Sequence, residues 1–389
     1  MNITRKLKKK IYYWSPSLVN IATNKAVVNS ACSLRKYDKS FETSIINFFG
    51  EFKHYYDKLK FDKVDLINFY SDKFHKYLPR HGFFKSRFSF IIIYILSFFP
   101  LLNLINKKKP EFLIIHLITS LPLTLLILFK FKTKFVLRIS GFPKLGLMRK
   151  LLWKLSLKNI YCITCPTEAT KNYLISLNIV DKKKIFTLYD PIIEVNKISK
   201  LRDEENSYEN KSYIFAAGRL TKQKNFELMI DGFCEIQKQY SDIKLVLAGE
   251  GELEKKLKLK VKNLNLEDKV IFIGYKENVY SYMHKSICFL STSLWEDPGF
   301  VIIEAAFCIT PIISSDCENG PKEILPNKDY GYIFESNNLE SLIAELKKFL
   351  HDHINKKKIV YNKKINCLKN INKFSVFRHY LAFRKILEN

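Results

Sequence analysis

A chain of 389 residues, 47% hydrophobic and 26% charged, is too rich in core-forming side chains for a disordered protein and too long for one ordinary core, so two domains are expected. The formal net charge is +27 and is unevenly spread: residues 1–200 carry 36 Lys and Arg against 12 Asp and Glu, residues 201–389 carry 29 against 26. The first half is short of acids, which suits a polyanionic neighbour, either anionic lipid or nucleic acid.

The N-terminal stretch "MNITRKLKKKIYYW" has a charged start but no long apolar run before a small-residue cleavage site, so no signal peptide is expected. Residues 10–16 predict a strand ending in a turn, and 20–34 a helix. Further strands are predicted at 64–70, 111–116, 134–140, 160–167 and 183–191. Their apolar continuity suits strands covered on both faces, in β-α-β-α order. Between them, "FSFIIIYILSFFPLLNLI" (88–105) reaches the length of a membrane span. Pro100, Ser89, Ser97 and Asn103 interrupt it, and Arg80, Lys85, Arg87 and Lys107, Lys108, Lys109 flank it. A core helix, an interfacial helix and a span all remain open readings.

Residues 195–211 are polar without periodicity and read as a linker. The second half restarts the pattern, with strands predicted at 212–218, 243–249, 269–274, 287–291, 310–315 and 330–335. Helices are predicted at 225–239 and 251–264, and an amphipathic one at 373–389. The expected fold is α/β, with two doubly wound Rossmann-like domains facing across a cleft. The expected boundaries are 1–195, a linker at 196–211, and 212–373, with a terminal helix 374–389 packing back on the first domain.

The eight cysteines are scattered, mostly in apolar runs, and read as reduced core residues. Cys162 and Cys165 form a C-x-x-C, but a strand points residues three apart to opposite faces. Neither metal nor redox chemistry is expected of them.

Of 12 glycines, eight lie after residue 200. Gly218, Gly249, Gly251 and Gly274 close a predicted strand or follow one by two residues. In an open parallel sheet ligands sit beyond such strand ends, and glycine lets backbone amides approach an anion, though ordinary turns ask for the same residue. Arg219 and Lys224 follow the first of these strands at the start of the next helix, where two cations suit a diphosphate.

"WEDPGFVIIEA" (295–305) places Glu296 and Glu304 with seven residues between them. Asp297 is expected as N-cap and Pro298 as first helical residue, so that the amides of Gly299, Phe300 and Val301 form an anion site at the positive end of the dipole. Glu304 falls about two turns in, among Ile and Ala. A carboxyl there needs a partner, either a buried cation or the hydroxyls of a bound sugar or ribose.

The ordered set G-R-L-x-x-x-K (218–224), L-A-G-E-G (247–251), I-G-Y (273–275), E-D-P-G-F-V-x-x-E-A (296–305) and S-S-D-C-E-N-G-P-K-E-I-L (314–325) resembles the nucleotide-sugar-binding domain of retaining, family 4 type glycosyltransferases of the GT-B fold. The first half matches more loosely, through "IIHLITSLPL" (114–123) and "RISGFPKL" (138–145). The resemblance implies a hexosyltransferase-type enzyme using a nucleoside-diphosphate sugar. It implies that Arg219 and Lys224 beside Gly218 hold the diphosphate, that Glu304 binds the ribose, and that Glu296 faces the donor sugar with the amides of Gly299, Phe300 and Val301 nearby. Backbone near Tyr275 and Lys276 is then expected at the base, and His116 at the donor sugar from the other domain.

Many relatives carry a glycine-rich loop after the first strand. Here residues 14–28 hold no glycine, and Ser15, Ser17, Asn20 and Thr23 are the candidate donors instead. The chain has no D-x-D, so metal-free chemistry without a cofactor is expected. The expected partners are a nucleotide-sugar donor, a glycan or lipid-linked saccharide acceptor and an anionic membrane surface, with no nucleic acid. The setting expected is cytoplasmic, peripheral on the inner face of the plasma membrane, in envelope polysaccharide assembly such as O-antigen, capsule or lipopolysaccharide. The competing classes are a basic membrane- or nucleic-acid-binding adaptor on a degenerate transferase scaffold, and a GT-B epimerase or phosphorylase.

Overall fold

The computed structural model describes residues 8–18, 21–71, 83–143, 145–208 and 211–388, and no side chain is described for 83–87. Asn20, Arg80 and the side chains of Lys85 and Arg87, named above, lie outside the described residues. The chain divides into two units, one of residues 1–191 with 376–389 and one of residues 192–375.

In the first unit the strands are β1 (Lys9–Trp14), β2 (Phe41–Asn47), β3 (Asp65–Asn68), β4 (Phe112–Ile115), β5 (Lys134–Arg138), β6 (Cys162–Cys165) and β7 (Ile185–Thr187). Among the described residues they form one sheet in the order β3-β2-β1-β4-β5-β6-β7, with every neighbouring pair parallel. Because side chains alternate along a strand, each strand feeds two cores. Ile11, Tyr13, Ile114 and Cys162 face helix Ala22–Tyr37. Tyr12, Trp14, Ile115 and Cys165 face the core that takes in Leu101, Leu121, Trp153 and Leu174. Cys162 and Cys165 thus lie on opposite faces, and burial pushes both thiols up to about 12.

The segment 88–105 lies in a helix, Phe83–Lys108, with Pro100 inside it. By length and composition it could cross a membrane, and 28% of its apolar window is buried. Ile93, Leu101 and Ile105 are buried, while Phe88, Ile91, Ile95 and Phe99 are exposed. One stripe packs as a core helix and the opposite stripe is bare.

The second unit holds β8 (Tyr213–Ala217), β9 (Lys244–Ala248), β10 (Val270–Gly274), β11 (Cys288–Ser291), β12 (Trp295–Glu296), β13 (Ile312–Ser315), β14 (Glu318–Asn319) and β15 (Tyr332–Phe334). Six form a sheet in the order β10-β9-β8-β11-β13-β15, while β12 and β14 pair separately. All described pairs are parallel. Helices Phe226–Gln237, Glu254–Asn263 and Leu339–Asn355 pack Met229, Leu257, Leu346 and their neighbours onto Ile214, Leu245 and Leu290.

Two sequence readings are corrected. The segment read as a structureless linker opens with a helix, Val195–Arg202, in which Ile198 is buried. The Asn278 side chain donates to Leu201 O at 2.9 Å, so this stretch belongs to the second unit. β2, β12 and β14 were not expected. The final helix, Val376–Glu388, places Tyr380, Phe383, Ile386 and Leu387 in the first unit's core.

Candidate functional site

In both sheets the chain enters at a central strand, builds outward to one side, and then returns to build the other. The order reverses between β1 and β4 in the first unit and between β8 and β11 in the second. In a parallel sheet all carboxyl ends share one edge, and the loops diverge where the order reverses, leaving room for a ligand.

In the second unit the loops at that edge are interlocked. The Gly218 amide donates to Ala248 O at 3.0 Å, and the Leu220 amide to Glu250 O at 2.9 Å. Gly249 has φ +132°, and a Cβ there would sit 2.0 Å from Gly218 O. Only glycine lets the two backbones approach so closely. Lys222–Lys224 make one 3₁₀ turn, and Asn225 adopts a left-handed conformation before helix Phe226–Gln237 begins.

This basic turn is fastened to the loop after β11. Thr292 Oγ1 donates to Lys224 O at 3.0 Å and Asn225 O at 2.9 Å, and the Gln223 side chain to Trp295 O at 2.9 Å. Lys224 Nζ thereby reaches Glu296 Oε1, a direct ion pair in which both side chains are largely buried. Ser293 Oγ donates to the same carboxylate oxygen at 2.6 Å, and Ser315 Oγ holds Ser293 O at 2.6 Å. An ammonium carries three donors, so one lysine can serve Glu296 and an arriving anion together. Arg219 stands exposed on the turn after β8, with no ion pair or side-chain hydrogen bond among the described residues.

The cap expected at Asp297 is corrected. The helix runs Phe300–Phe307, its N-cap is Gly299 at φ 97°, and no side chain caps it. The Asp297–Pro298 bond is cis. Pairing of β12 with β14 draws the chain out extended here, and Asn319 Nδ2 donates to Asp297 Oδ1. Gly320 permits this packing, since a Cβ there would meet Pro298 O at 2.0 Å. Phe300 and Val301 remain the first residues of the helix, whose leading amides have no intrahelical acceptor.

Glu304 is buried, as its apolar surroundings required, and Tyr280 Oη donates to its Oε1 at 3.2 Å. Its partners thus include a tyrosine 24 residues upstream. Tyr275 and Lys276 are exposed just past β10, at the same carboxyl edge. The structure brings Lys224 and Glu296 into contact, sets Arg219 and the Phe300 helix start on the same sheet edge, and holds Glu304 deeper. Thr292, Ser293, Tyr280 and Asn319 escaped the sequence reading. The Ser-Thr-Ser run before Glu296 was the one local signal, because hydroxyls at a strand end are ready donors for a nearby carboxylate.

In the first unit His116 follows β4 at the reversal point, buried against Tyr13 with ring centroids 6.1 Å apart. Burial, then the charge of Arg138 and then His379, hold its imidazole well below the ordinary range, so it is neutral near pH 7. Arg138 donates to Leu188 O at 2.6 Å and pairs with Asp190 at 2.5 Å. In the glycine-free loop, Ser17 is engaged with Asn24, whose amide donates to its Oγ at 2.9 Å, and the Ser15 hydroxyl is buried without a partner among the described residues.

The family described as "Glycosyl transferases group 1" matches residues 197–365. An uncharacterized glycosyltransferase of Methanocaldococcus jannaschii is 29% identical over 75% of this chain and 73% of its own length. N-acetylgalactosamine-N,N'-diacetylbacillosaminyl-diphospho-undecaprenol 4-alpha-N-acetylgalactosaminyltransferase of Campylobacter jejuni is 32% identical over 44% of this chain, and the match spans 46% of that enzyme. Among solved structures, the Anabaena protein HepE in complex with UDP and glucose superimposes with a TM-score of 0.70 at 15% identity, covering 98% of this chain and all of that one. Residues 197–365 are therefore similar to the group 1 glycosyl transferases, in a chain of the GT-B fold.

Proposed function

We propose that the protein moves a hexosyl group from a nucleoside-diphosphate sugar to an acceptor hydroxyl, with retention and without a metal ion. The observation that carries this reading is the fastening of Lys224 to Glu296 at the reversal point of the second sheet, beside the start of helix Phe300–Phe307. Cation and helix start together favour a diphosphate.

In this reading Arg219 and Lys224, with the backbone at Gly218, hold the diphosphate and stabilise the leaving nucleotide. Glu304 takes the ribose hydroxyls and Glu296 the donor sugar, with the amides of Gly299, Phe300 and Val301 beside it. The backbone of Tyr275 and Lys276 borders the base. Neutral His116 serves the donor sugar as a hydrogen-bonding group. As the bond from the anomeric carbon to phosphate breaks, the acceptor oxygen bonds to that carbon from the same face and its proton passes to the leaving phosphate. Preorganised cations and amides then supply the stabilisation of the departing charge.

The Campylobacter relative acts on a diphospho-undecaprenol-linked saccharide by its name, and HepE was solved with UDP and glucose. Both favour a nucleotide-sugar donor and a glycan or lipid-linked acceptor in envelope polysaccharide assembly. The acid-poor first half favours a peripheral position on the anionic inner face of the plasma membrane. Vesicles test that placement: binding to anionic lipid should weaken with salt, and equal binding to neutral vesicles at any salt contradicts it.

The activity is tested by incubating the full chain with UDP-, GDP- and ADP-sugars and a membrane lipid extract, following nucleoside diphosphate. Acceptor-dependent release from one donor class is expected. No release, or epimerised donor without release, rejects the transferase reading in favour of the adaptor or the epimerase.

A further inference from the structure

Alternation along neighbouring strands of the first unit sets three polar side chains in a row. Ile114, Val136 and Cys162 face helix Ala22–Tyr37, so His116, Arg138 and Thr164, each two residues further on, face it as well. The register keeps them adjacent, since Ile115 pairs with Leu137 and Arg138 with Thr164. Behind the row lies a small cavity of about 10 Å³, lined by these three together with Ser30, Asp190 and His379. That is room for about one water molecule. His116 and Arg138 also line a larger pocket of about 840 Å³ at the carboxyl edge, whose walls are mostly apolar side chains such as Phe90, Met148 and Trp153.

The hydrogen bonds around the small cavity run in one direction. His379 Nδ1 lies 2.7 Å from Tyr189 O, which can only accept, so this nitrogen carries the proton. Burial holds the His379 imidazole down to about 3, so its Nε2 is bare and accepts from Ser30 Oγ at 2.9 Å. Ser30 has then used its one proton and accepts from Tyr13 Oη at 3.1 Å. Tyr13 in turn stacks on His116. Two lining groups keep unused donors. The Thr164 hydroxyl is 1% exposed and has no hydrogen-bond partner among the described residues. Arg138 turns only Nη1 and Nη2 to Leu188 O and Asp190, out of five N–H groups. A buried hydroxyl is costly unless something polar meets it.

We propose that one water molecule occupies this cavity and makes Thr164 a positioning residue for His116. The water accepts from Thr164 and Arg138, so its own protons go outward, one of them to the imidazole nitrogen that faces it. The other ring nitrogen then carries the proton and presents an N–H to the larger pocket. His116 thus meets a ligand there as a hydrogen-bond donor, not as an acceptor. That this ligand is a donor sugar rests on the glycosyltransferase reading above; the tautomer does not.

Nitrogen-15 NMR of the histidine rings in the full chain reads the tautomer without any donor present, with His116 assigned by the signals that His116→Asn removes. Wild type at neutral pH should show a single neutral tautomer of His116. Thr164→Val, of the same shape but without the hydroxyl, should show both tautomers, and Thr164→Ser should restore the single one. A crystal of wild type should show water density about 3 Å from Thr164 Oγ1 and from one His116 ring nitrogen, a result that stands even if Thr164→Val fails to fold. With saturating UDP-, GDP- or ADP-sugar, nucleoside diphosphate release should fall severalfold in Thr164→Val and stay within twofold in Thr164→Ser. Mixed tautomers in wild type, an unchanged single tautomer in Thr164→Val, a Thr164→Ser protein as impaired as Thr164→Val, or no such density overturns the proposal. Wild type with the expected spectra but no release from any donor rejects the transferase reading alone, whereas active wild type with mixed tautomers rejects the role of Thr164 alone.

Discussion

The two sheets of this protein are built to one plan and finished differently. Each reverses its strand order beside its first strand, so each offers a ligand the same place at its carboxyl edge. In the second unit that edge is fastened by glycine contacts and hydroxyl bridges around a lysine–glutamate pair. In the first unit the corresponding loop has no glycine, the edge presents a buried neutral histidine, and an apolar pocket opens from it. The shared topology fixes where a ligand goes, and the loop residues decide what it is. One edge holds a buried ion pair beside a helix start, the other a buried neutral histidine beside a largely apolar pocket.

Breaking the polar edge should have the largest effect. Lys224→Ala leaves Glu296 buried with Ser293 but without its cation. Loss of one partner of a buried pair costs about 3–5 kcal/mol. Nucleoside diphosphate release should fall at least about 100-fold, whereas Lys222→Ala, an exposed lysine on the same turn, should change it less than twofold. Comparable losses in both variants would reduce the pair to general surface charge.

The first unit contains its own buried acid, which gives a test independent of the donor. Glu51 accepts the amides of Phe48 and Phe49, both at 2.9 Å, yet burial outweighs these bonds and raises its carboxyl to about 7. A folded-state value above the unfolded one means the native state holds the extra proton. Stability should therefore fall as pH rises from about 4.5 to about 7, by on the order of 3 kcal/mol. Glu51→Gln should flatten that part of the curve in thermal melts, and an unchanged slope would assign the pH dependence elsewhere.

A smaller effect sharpens the account of the second unit. Glu304→Gln keeps an oxygen to accept from Tyr280 but removes the carboxylate proposed to take the ribose hydroxyls. Nucleoside diphosphate affinity should drop about tenfold, the worth of one good hydrogen bond to a charged group, with the melting temperature little changed. A large drop in melting temperature at full affinity would make Glu304 a packing residue.

Much of this was legible in the sequence because parallel strands covered on both faces read as unbroken apolar runs. β1, β4, β5 and β6 and all six strands of the second main sheet announce themselves that way. β2 did not, since Glu42, Thr43 and Ser44 interrupt its run even though the last two are buried. Lys224 and Glu296 were each recognisable at a strand end, but their contact was not, because it depends on Thr292 and Gln223 drawing two loops together across 72 residues of chain. Asp-Pro-Gly resembled a helix start, and pairing of β12 with β14, a long-range event, moved the cap to Gly299. The pocket of the first unit had no sequence signature, since its walls come from separate helices that read as core.

The central claim is that the carboxyl edge of the second sheet grips a nucleoside diphosphate. Amide hydrogen exchange on the full chain tests it most directly, with whichever of UDP, GDP or ADP raises the melting temperature most. The account predicts slowed exchange at Gly218–Lys224 and at Gly299–Val301, with the strands beneath unchanged. Slowed exchange only in other segments, or no nucleotide that raises the melting temperature, would contradict it.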